Sequence, residues 1–579
     1  MLLRSPFRFY IRKNWRPFAL GLFCLLVTNT LDCLLPLLLK EVIDALSSKK
    51  NFSLIYQPLA IYLGLVCFVA IFRFGWRWAW SRYHQSVAED LRNRVFDKYT
   101  SLGLSFFNRY PVGQLMSLIT NDINTFRMGV GPAVLLFFDA TFYCGIIIPA
   151  MIYLSPTWTW KTLVALPLLP FFVAKLENLI QARYNLRQEK FSELSGIAQE
   201  IVSGVRIIKG YALETEHTKN FNNVSREFES ASNKASYAQA ALEPVMQFVV
   251  STGVVILFFV GSLDVVKGTA TIGTFVAFLR YVQKLSWPMS EIGFGMSMLL
   301  EARASFARVK NVLVEPSDIP DEGTVDPIEF QSLEVRSLTF SYSEQREPAL
   351  KNISLVINRG EKIGFFGPIG SGKTSLVNLF CRLYESKHGS LLINGHPIQN
   401  IKQSSLHRIF CLVPQNVFLF GDTIAYNFAL GLESPPETDE IEIYSKRVRL
   451  HDEILATKNG YETLLGEKGV NLSGGQKQRL TIARGLIRNA PVLILDDVLS
   501  AVDAETEKAI IDTLEGSVLS DKKQTVIVVS HRITSLVNCD RIYVFDNGSI
   551  QAVGNHSELL TASGFYRSIY QMQMTEAIQ

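Results

Sequence analysis

A glycine-rich segment has the composition and spacing of a phosphate-binding loop. It runs through Gly367, Pro368, Ile369, Gly370, Ser371, Gly372, Lys373 and Thr374, and Ser375 follows it. Glycines let backbone N–H groups surround phosphate oxygens, and a helix predicted at 375–384 adds the positive end of its dipole. Lys373 is expected to reach the β- and γ-phosphates of a nucleotide, and Thr374 to bind Mg²⁺. The segment therefore predicts a nucleoside triphosphate site.

Two further segments have residues that could act on the same nucleotide. The apolar run at 492–495 ends in Asp496 and Asp497. Asp496 is expected to hold Mg²⁺ through water, and Asp497 lies where a carboxylate that activates water is expected. A helix is predicted at 477–488, and it is preceded by Leu472, Ser473, Gly474, Gly475 and Gln476. A serine and two glycines at the start of a helix make a second site able to bind phosphate. One nucleotide held between two copies of this domain would use both helix starts.

These segments belong to a soluble α/β pattern that begins after about residue 312. Short apolar runs at 362–366, 492–495, 525–529 and 541–545 alternate with helical segments. Runs that are apolar at nearly every position are typical of strands buried on both faces of a mostly parallel sheet. We predict an exposed linker at 312–332, because residues 315–323 are rich in Pro, Asp and Glu. The α/β domain then occupies 333–579.

The first 311 residues are predicted to form a helical domain that crosses a membrane. Six apolar segments near 17–39, 57–81, 130–154, 159–178, 244–265 and 272–298 have about the 20 residues that a spanning helix needs. The whole chain is 48% hydrophobic and only 19% charged, against about 25% charged in soluble domains. Buried helices of a soluble protein are the alternative, and they would need several helices without a polar face.

Basic residues predict the orientation of these segments. The N-terminus carries Arg4, Arg8, Arg12, Lys13 and Arg16 before the first segment. The long stretches at 82–129 and 179–243 also hold many Lys and Arg, whereas the short connections hold few. The positive-inside rule therefore predicts that both termini and both long stretches are cytoplasmic. The long stretches have helical periodicity, notably at 87–102 and 186–208.

Polar residues inside the predicted spans are candidates for function, and four are selected here: Asp32, Asp139, Arg280 and Lys284. Two interpretations remain open for them. They could line a cavity that contacts polar or charged cargo, or they could pair between helices or reach toward a span end.

Other functions are disfavoured by composition. The net charge of +4 gives no argument for nucleic-acid binding, and the seven cysteines form no CxxC motif and are expected to be buried thiols.

In this order, the three motifs resemble those of ABC ATPases. The chain as a whole resembles an ABC exporter half-transporter, with an all-α transmembrane domain of six helices followed by one cytoplasmic α/β P-loop ATPase domain. The resemblance covers nearly all of the sequence. It implies ATP and Mg²⁺ as ligands, a second half-transporter subunit as partner, and a position in the cytoplasmic membrane.

The resemblance also implies roles for further residues. Tyr342 resembles the aromatic residue that stacks on adenine. Gln415 resembles a glutamine near Mg²⁺ and the attacking water, and His531 a histidine at the γ-phosphate. Residues 500–503, which end in Asp503, resemble the D-loop. Residues 466–469 resemble the loop that meets coupling helices, 106–113 the first coupling-helix region, and 204–216 the approach to the second.

One position departs from the family pattern. In the family, glutamate usually follows the acidic residue at the end of the Walker B strand, which corresponds to Asp496 here. In this chain the next residue is Asp497. Aspartate is one methylene shorter, about 1.5 Å of reach, and a misplacement of about 1 Å can cost ~10²-fold in rate. Similar replacements occur in one subunit of heterodimeric ABC exporters. We expect a slow site on this chain, with Leu472–Gln476 completing an active site on a partner. A homodimer with Asp497 as a weak base is the alternative.

The resemblance implies ATP-driven alternating access and export. A largely apolar cavity with aromatic residues suits hydrophobic or amphipathic substrates such as drugs or lipids, and peptides remain possible. An ATP-gated channel or a regulatory membrane protein would use the same architecture. Substrate-stimulated ATPase activity would distinguish a transporter from a channel, which would give ATP-gated currents.

Overall fold

The computed structural model describes residues 5–47, 53–164, 168–326, 329–342, 347–432, 434, 436–466, 469, 471–499, 506–507, 509–511 and 524–578. Its contacts divide the chain into two compact units. The first comprises Met1–Thr100 and Val112–Glu315, and the second comprises Ser101–Pro111 and Pro316–Gln579. The domain boundaries at 311 and 333 stay predictions, and the two units are described separately below.

The elements of the first 315 residues are helices, and one of them, α4, belongs to the second unit. The apolar helices among them satisfy their backbone groups within each helix, as a hydrocarbon environment requires. The helices are α1 Pro6–Lys13, α2 Trp15–Ser47, α3 Ser53–Ser101, α4 Leu104–Arg109, α5 Val112–Ser117, α6 Ile123–Met128, α7 Val134–Leu154, α8 Pro156–Leu163, α9 Leu168–Ser203, α10 Val205–Gly210, α11 Glu214–Ala240, α12 Leu242–Val266, α13 Ile272–Lys284 and α14 Ser286–Val314. Two π-helical turns, Leu118–Asp122 and Gly129–Ala133, join α5, α6 and α7.

Four helical segments of the described residues are long and apolar enough to cross a membrane: Trp15–Ser47, Tyr56–Ser101, Val112–Leu154 and Glu214–Val266. They contain the predicted first, second, third and fifth spans. The predicted fourth span falls on α8 and the start of α9, with residues 165–167 outside the described ranges. Helices also extend well beyond the apolar segments, since the 49 residues of α3 cover about 70 Å at 1.5 Å per residue.

The predicted sixth span, 272–298, is divided between α13 and α14 at Leu285. Pro288 explains the break. Proline has no N–H to donate to the carbonyl of Lys284, and its ring clashes with that carbonyl. The sequence predicts a kink at Pro288, and the structure shows a break three residues before it.

Polar residues in this unit pair across helices. Lys284 forms an ion pair with Asp32, and the Tyr143 hydroxyl donates to the same carboxylate. Asn29 Nδ2 donates to Asp139 Oδ1 over 2.7 Å. For Asp32, Asp139 and Lys284 the structure therefore shows pairing between helices, one of the two interpretations left open. The side chain of Arg280 is exposed.

The second unit contains two sheets. The strands are β1 Ser332–Phe340, β2 Leu350–Asn358, β3 Lys362–Phe366, β4 His388–Ile393, β5 His396–Pro397, β6 Phe410–Val413, β7 Val492–Asp496, β8 Thr525–Ser530, β9 Arg541–Asp546 and β10 Ser549–Gly554. The helices are α15 Lys373–Phe380, α16 Gln403–Ile409, α17 Ile424–Ala429, α18 Thr438–Arg447, α19 His451–Leu455, α20 Gly474–Ile487, α21 His556–Ala562 and α22 Gly564–Ile578.

A six-stranded sheet positions the phosphate-binding segments. Its order is β10-β9-β3-β8-β7-β6, and β9, β3, β8, β7 and β6 run parallel. Every residue of β7 and β8 is buried, as expected for strands covered on both faces. The carboxyl ends of β3, β6, β7 and β8 lie at one edge, where open α/β sheets bind ligands. The sequence analysis did not predict the second sheet, β2-β1-β4-β5, which is antiparallel.

The predicted coupling-helix region at 106–113 corresponds to the short helix α4, whose residues belong to the second unit. Phe106 is buried there. Asn108 Nδ2 donates to the Tyr384 hydroxyl over 2.7 Å, and Ser317 Oγ donates to the Ser101 carbonyl over 2.7 Å. The predicted second region, 204–216, contains α10 of the first unit.

Candidate functional site

A cleft of about 320 Å³ lies at the carboxyl edge of the parallel sheet. Most of the predicted site residues line it: Tyr342, Ile369, Gly370, Ser371, Gly372, Lys373, Thr374, Ser375, Gln415, Asp496, Asp497 and His531. Ala349 and Val529, which the sequence analysis did not select, line it as well. The structure therefore brings residues at the carboxyl ends of five strands, β1, β3, β6, β7 and β8, to one site.

The loop after β3 requires glycine at position 372. Gly372 has φ +97°, a left-handed conformation that disfavours any residue with a Cβ. A Cβ there would lie 2.5 Å from the Ala349 carbonyl oxygen. The loop then enters α15, which begins at Lys373. Backbone N–H groups at the start of this helix have no partner within the helix and can bind an anion.

Lys373 folds back over this loop. Its Nζ donates to the carbonyls of Gly367 and Pro368 over 2.7 and 2.8 Å and to Ser371 Oγ over 3.1 Å. Burial lowers the pKa of Lys373, and the carboxylates of Asp497 and Asp496 oppose that shift. The three hydrogen bonds hold the ammonium group within the loop, beside the position predicted for the phosphates.

Thr374 and Asp496 form a pair of oxygen ligands suited to Mg²⁺. Thr374 Oγ1 donates to Asp496 Oδ1 over 3.1 Å, and Asp496 is buried. Burial raises the pKa of Asp496 above its ordinary value, Asp497 raises it further, and Thr374 and Lys373 oppose the shift. Two adjacent carboxylates in a buried site favour a divalent cation, and hydroxyl and carboxylate oxygens are ligands that Mg²⁺ accepts. These residues therefore fit the metal that the sequence predicts.

Asp497 has an unusual backbone conformation, with φ +52°. Aspartate tolerates this left-handed region better than most residues with a Cβ. Its N–H donates to the Val529 carbonyl over 2.9 Å. Its Oδ1 lies 2.9 Å from His531 Nδ1, and its Oδ2 accepts from Gln415 Nε2 over 3.2 Å. The short carboxylate is therefore held between the two residues predicted to surround the γ-phosphate.

Tyr342 contacts the helix that follows the phosphate-binding loop. Its hydroxyl is 2.8 Å from Ser375 Oγ. Its ring meets the Tyr384 ring edge-on, with 5.1 Å between centroids. About 45% of Tyr342 is exposed, so an aromatic face is available to a base. The sequence analysis did not select Tyr384, which has no motif around it.

The segment Leu472–Gln476 does not line this cleft in the part of the chain that the structure describes. It begins α20 with a capping box: Ser473 Oγ accepts from the Gln476 N–H over 3.2 Å, and Gln476 Oε1 accepts from the Ser473 N–H over 2.8 Å. Gln476 Nε2 also donates to Glu453 over 2.8 Å, and Arg479 binds the same carboxylate. Nothing in the sequence indicated Glu453. This helix start is therefore rigidly held, away from the chain's own loop.

Some predicted residues fall outside the described ranges. They include the D-loop at 500–503, with Asp503, and positions 467 and 468 of the loop at 466–469. Their roles stay predictions.

The fold and cleft define a P-loop nucleotide-binding protein with a helical membrane domain. Comparison with known families agrees with this class. Residues 18–289 match the ABC transporter transmembrane region, and residues 350–500 match the ABC transporter ATPase domain. The chain belongs to the ABC transporter family. With one domain of each kind it is a half-transporter, a multi-pass membrane protein whose second domain hydrolyses ATP.

Curated relatives cover nearly the whole chain. An ATP-dependent lipid A-core flippase from Syntrophus aciditrophicus is 32% identical over 568 residues, 96% of this chain and 92% of the relative. The multidrug resistance-like ATP-binding protein MdlA of Escherichia coli is 30% identical over 580 residues, 100% of this chain and 98% of the relative. The ABC transporter ATP-binding protein YknU of Bacillus subtilis is 31% identical over 562 residues.

Proposed function

We propose that the chain exports hydrophobic or amphipathic molecules across the cytoplasmic membrane, as one half of a heterodimer with two unequal ATP sites. One observation carries the inequality: Asp497 replaces a longer glutamate, and its carboxylate is already engaged by Gln415 and His531. The substrate class is supported by the names of the relatives, a lipid A-core flippase and a multidrug resistance-like protein. It is also supported by the aromatic and apolar helices of the first unit.

In this proposal the cleft binds the triphosphate of ATP. The loop N–H groups and Lys373 hold the phosphates, and the Tyr342 ring packs on the adenine. Thr374, Asp496 and Gln415 are the residues that would hold Mg²⁺, which neutralises phosphate charge when bound. His531 contacts the γ-phosphate. Each role follows the geometry of the cleft, in which these side chains already converge.

The two halves of each ATP site come from different subunits. Leu472–Gln476 lies outside the cleft of its own chain, and its capping box presents a helix start to another molecule. ATP between two such domains makes additional contacts only in the closed pair, so it favours that state by differential affinity. Closure moves the long cytoplasmic helices and opens the membrane domain outward. Hydrolysis at the competent site removes the γ-phosphate contacts and releases the pair.

Orientation in the membrane is part of the proposal. Arg8, Arg12, Lys13 and Arg16 precede or begin the first long apolar helix, and such an excess of basic residues is typical of the cytoplasmic side. Both termini and the ATPase domain are then cytoplasmic. No nucleic-acid partner is proposed.

The test is ATPase turnover of the purified chain in lipid nanodiscs, alone and with the half-transporter encoded beside it. We expect low activity from the single chain and a marked increase for the pair, stimulated by an amphipathic substrate. Lys373→Ala should abolish ATP binding to this chain, whereas Lys351→Ala, a surface lysine paired with Glu347, should not. Full turnover by the single chain, unchanged by the neighbour, would indicate a homodimer instead. ATP-gated ion currents without substrate transport would indicate a channel.

A further inference from the structure

Two carboxyl groups meet inside the apolar part of the first unit. Asp139 is the only charged residue of α7, and Glu291 lies on the neighbouring helix α14. The Glu291 side chain lies beside the side chains of Asp139 and Trp287, and Asn29 Nδ2 of α2 donates to Asp139 Oδ1. The sequence analysis selected Asp139 and did not select Glu291.

Close packing of the two helices fixes this pair. Gly295 lies one turn after Glu291, and a Cβ there would be 3.1 Å from the Phe137 ring and 3.3 Å from the Ala133 carbonyl. The absence of a side chain at Gly295 therefore lets α14 approach α7. That approach brings Glu291 against Asp139, since residues four apart share one face of a helix.

The pair is incompletely satisfied. Glu291 is only 3% exposed, and its Oε2 atom is buried with no hydrogen-bond partner among the described residues. An ionisable group in such a position is costly unless something pairs with it. No cation among the described residues acts on Glu291; Lys284 of α13 is bound to Asp32, and Tyr143 and Cys144 add no positive charge. The cluster therefore retains a net negative charge.

The surroundings suit a ligand that is both apolar and cationic. Phe138 and Phe142 of α7 lie 5.8 Å apart, next to Asp139 along the helix, and both are partly exposed. Asp139 is also partly exposed, so the pair can be approached from one side. Aromatic rings pack against apolar groups and attract cations through their faces.

We propose that Asp139 and Glu291 bind the positively charged group of an amphipathic substrate. The inference rests on the proposed export function and adds to it a substrate class, organic cations. The carboxyl pair supplies the charge, and the phenylalanines contact the apolar body. The negative charge of the pair attracts the cationic group of the ligand.

The test compares two ions of equal shape and opposite charge, tetraphenylphosphonium and tetraphenylborate. Equilibrium binding is measured on the full chain in nanodiscs without nucleotide, so the result does not depend on ATP hydrolysis or transport. Each variant is compared with wild type for the same ion, so that the partition of the ion into the nanodisc lipid contributes equally to both measurements. The double variant Asp139→Asn/Glu291→Gln removes the charge of the pair whichever carboxyl group carries it. It should weaken tetraphenylphosphonium binding about tenfold or more, because a charged interaction in a buried site is lost, and should leave tetraphenylborate binding equal or tighter.

Asp139→Asn/Glu291→Met, which also removes both carboxyl groups, is expected to have the same ion-selective effect and carries the test if Asp139→Asn/Glu291→Gln does not fold. Glu301→Gln is the matched control, because Glu301 lies on the same helix and is exposed. Equal loss of both ions would show a structural role and overturn the proposal, as would unchanged tetraphenylphosphonium binding. A proton or Na⁺ as the true ligand would give tetraphenylphosphonium affinities that do not differ between wild type and variants, and would overturn it too. If only the proposed export function is wrong, substrates will not stimulate ATPase activity, but the variants will still change the binding of one ion and not of the other.

Discussion

Replacing Asp497 with glutamate tests whether side-chain length limits this ATP site. The aspartate carboxylate lies 2.9 Å from His531 Nδ1 and 3.2 Å from Gln415 Nε2, so it is held close to the sheet edge. Glutamate extends about 1.5 Å further into the cleft. A misplacement of about 1 Å can cost ~10²-fold in rate. Asp497→Glu should therefore raise turnover at this chain's own site about a hundredfold, or about 2.7 kcal/mol of barrier.

The same substitution has a structural cost that can be measured separately. Residue 497 has φ +52°, a conformation that aspartate accepts more readily than glutamate. We expect Asp497→Glu to lose up to about 1 kcal/mol of stability, visible as a small decrease in Tm. A gain in rate with a small loss of stability would show that the backbone here is adapted to the shorter residue.

The assay combines steady-state ATPase activity of the reconstituted pair with vanadate trapping of a photoreactive ATP analogue. Trapping reports which chain holds the hydrolysed nucleotide, so the two sites are read separately. Asp497→Asn is the control, because asparagine has the same size and tolerates the same φ but cannot accept a proton. It should change total turnover less than twofold. The reasoning about reach is refuted if Asp497→Glu binds ATP normally and its own site turns over no faster than in wild type.

Three further substitutions have expected effects that follow from single contacts. Gly372→Ala should lower both Tm and ATP affinity, because its Cβ would lie 2.5 Å from the Ala349 carbonyl oxygen. Gly474→Ala is the control and should leave Tm unchanged, because its Cβ meets nothing within 4 Å. Equal Tm values for the two variants would contradict this. Ser473→Ala should cost about 1 kcal/mol through the lost helix cap, measured by thermal unfolding, and Ser473→Asp should retain most of it. Thr374→Val should raise the Mg²⁺ concentration needed for half-maximal labelling of this chain by the photoreactive ATP analogue, and Thr374→Ser should restore it. Labelling with an unchanged Mg²⁺ dependence would remove this residue from the metal site.

Much of the ATPase domain could be predicted from local patterns. The strands at 362–366, 492–495, 525–529 and 541–545 are present within one residue of their predicted bounds, because continuous apolar runs leave few alternatives to a buried strand. The antiparallel sheet was not predicted, since its strands alternate buried and exposed positions only irregularly. The bulges in the register of β1 explain that irregularity.

The candidate site was only partly predictable. Lys373 and Thr374 belong to a motif in which neighbours in sequence are neighbours in space. Glu453 binds Gln476 across 23 residues, and no local pattern marks such a pair. The left-handed backbone at Asp497 also depends on how the chain leaves β7, which no side-chain type specifies.

The amino-acid order alone determined which chemistry this chain carries, because phosphate-binding loops, strand-end acids and apolar segments of membrane length are recognisable within a few residues. Tertiary structure alone decided which distant groups meet. Asp139 and Glu291 are far apart in the chain. They meet because Gly295 lets α14 pack closely against α7, with the two carboxyl groups on the facing sides of the helices. Rotation and crossing of helices depend on packing over the whole domain, so a local window of sequence does not contain them.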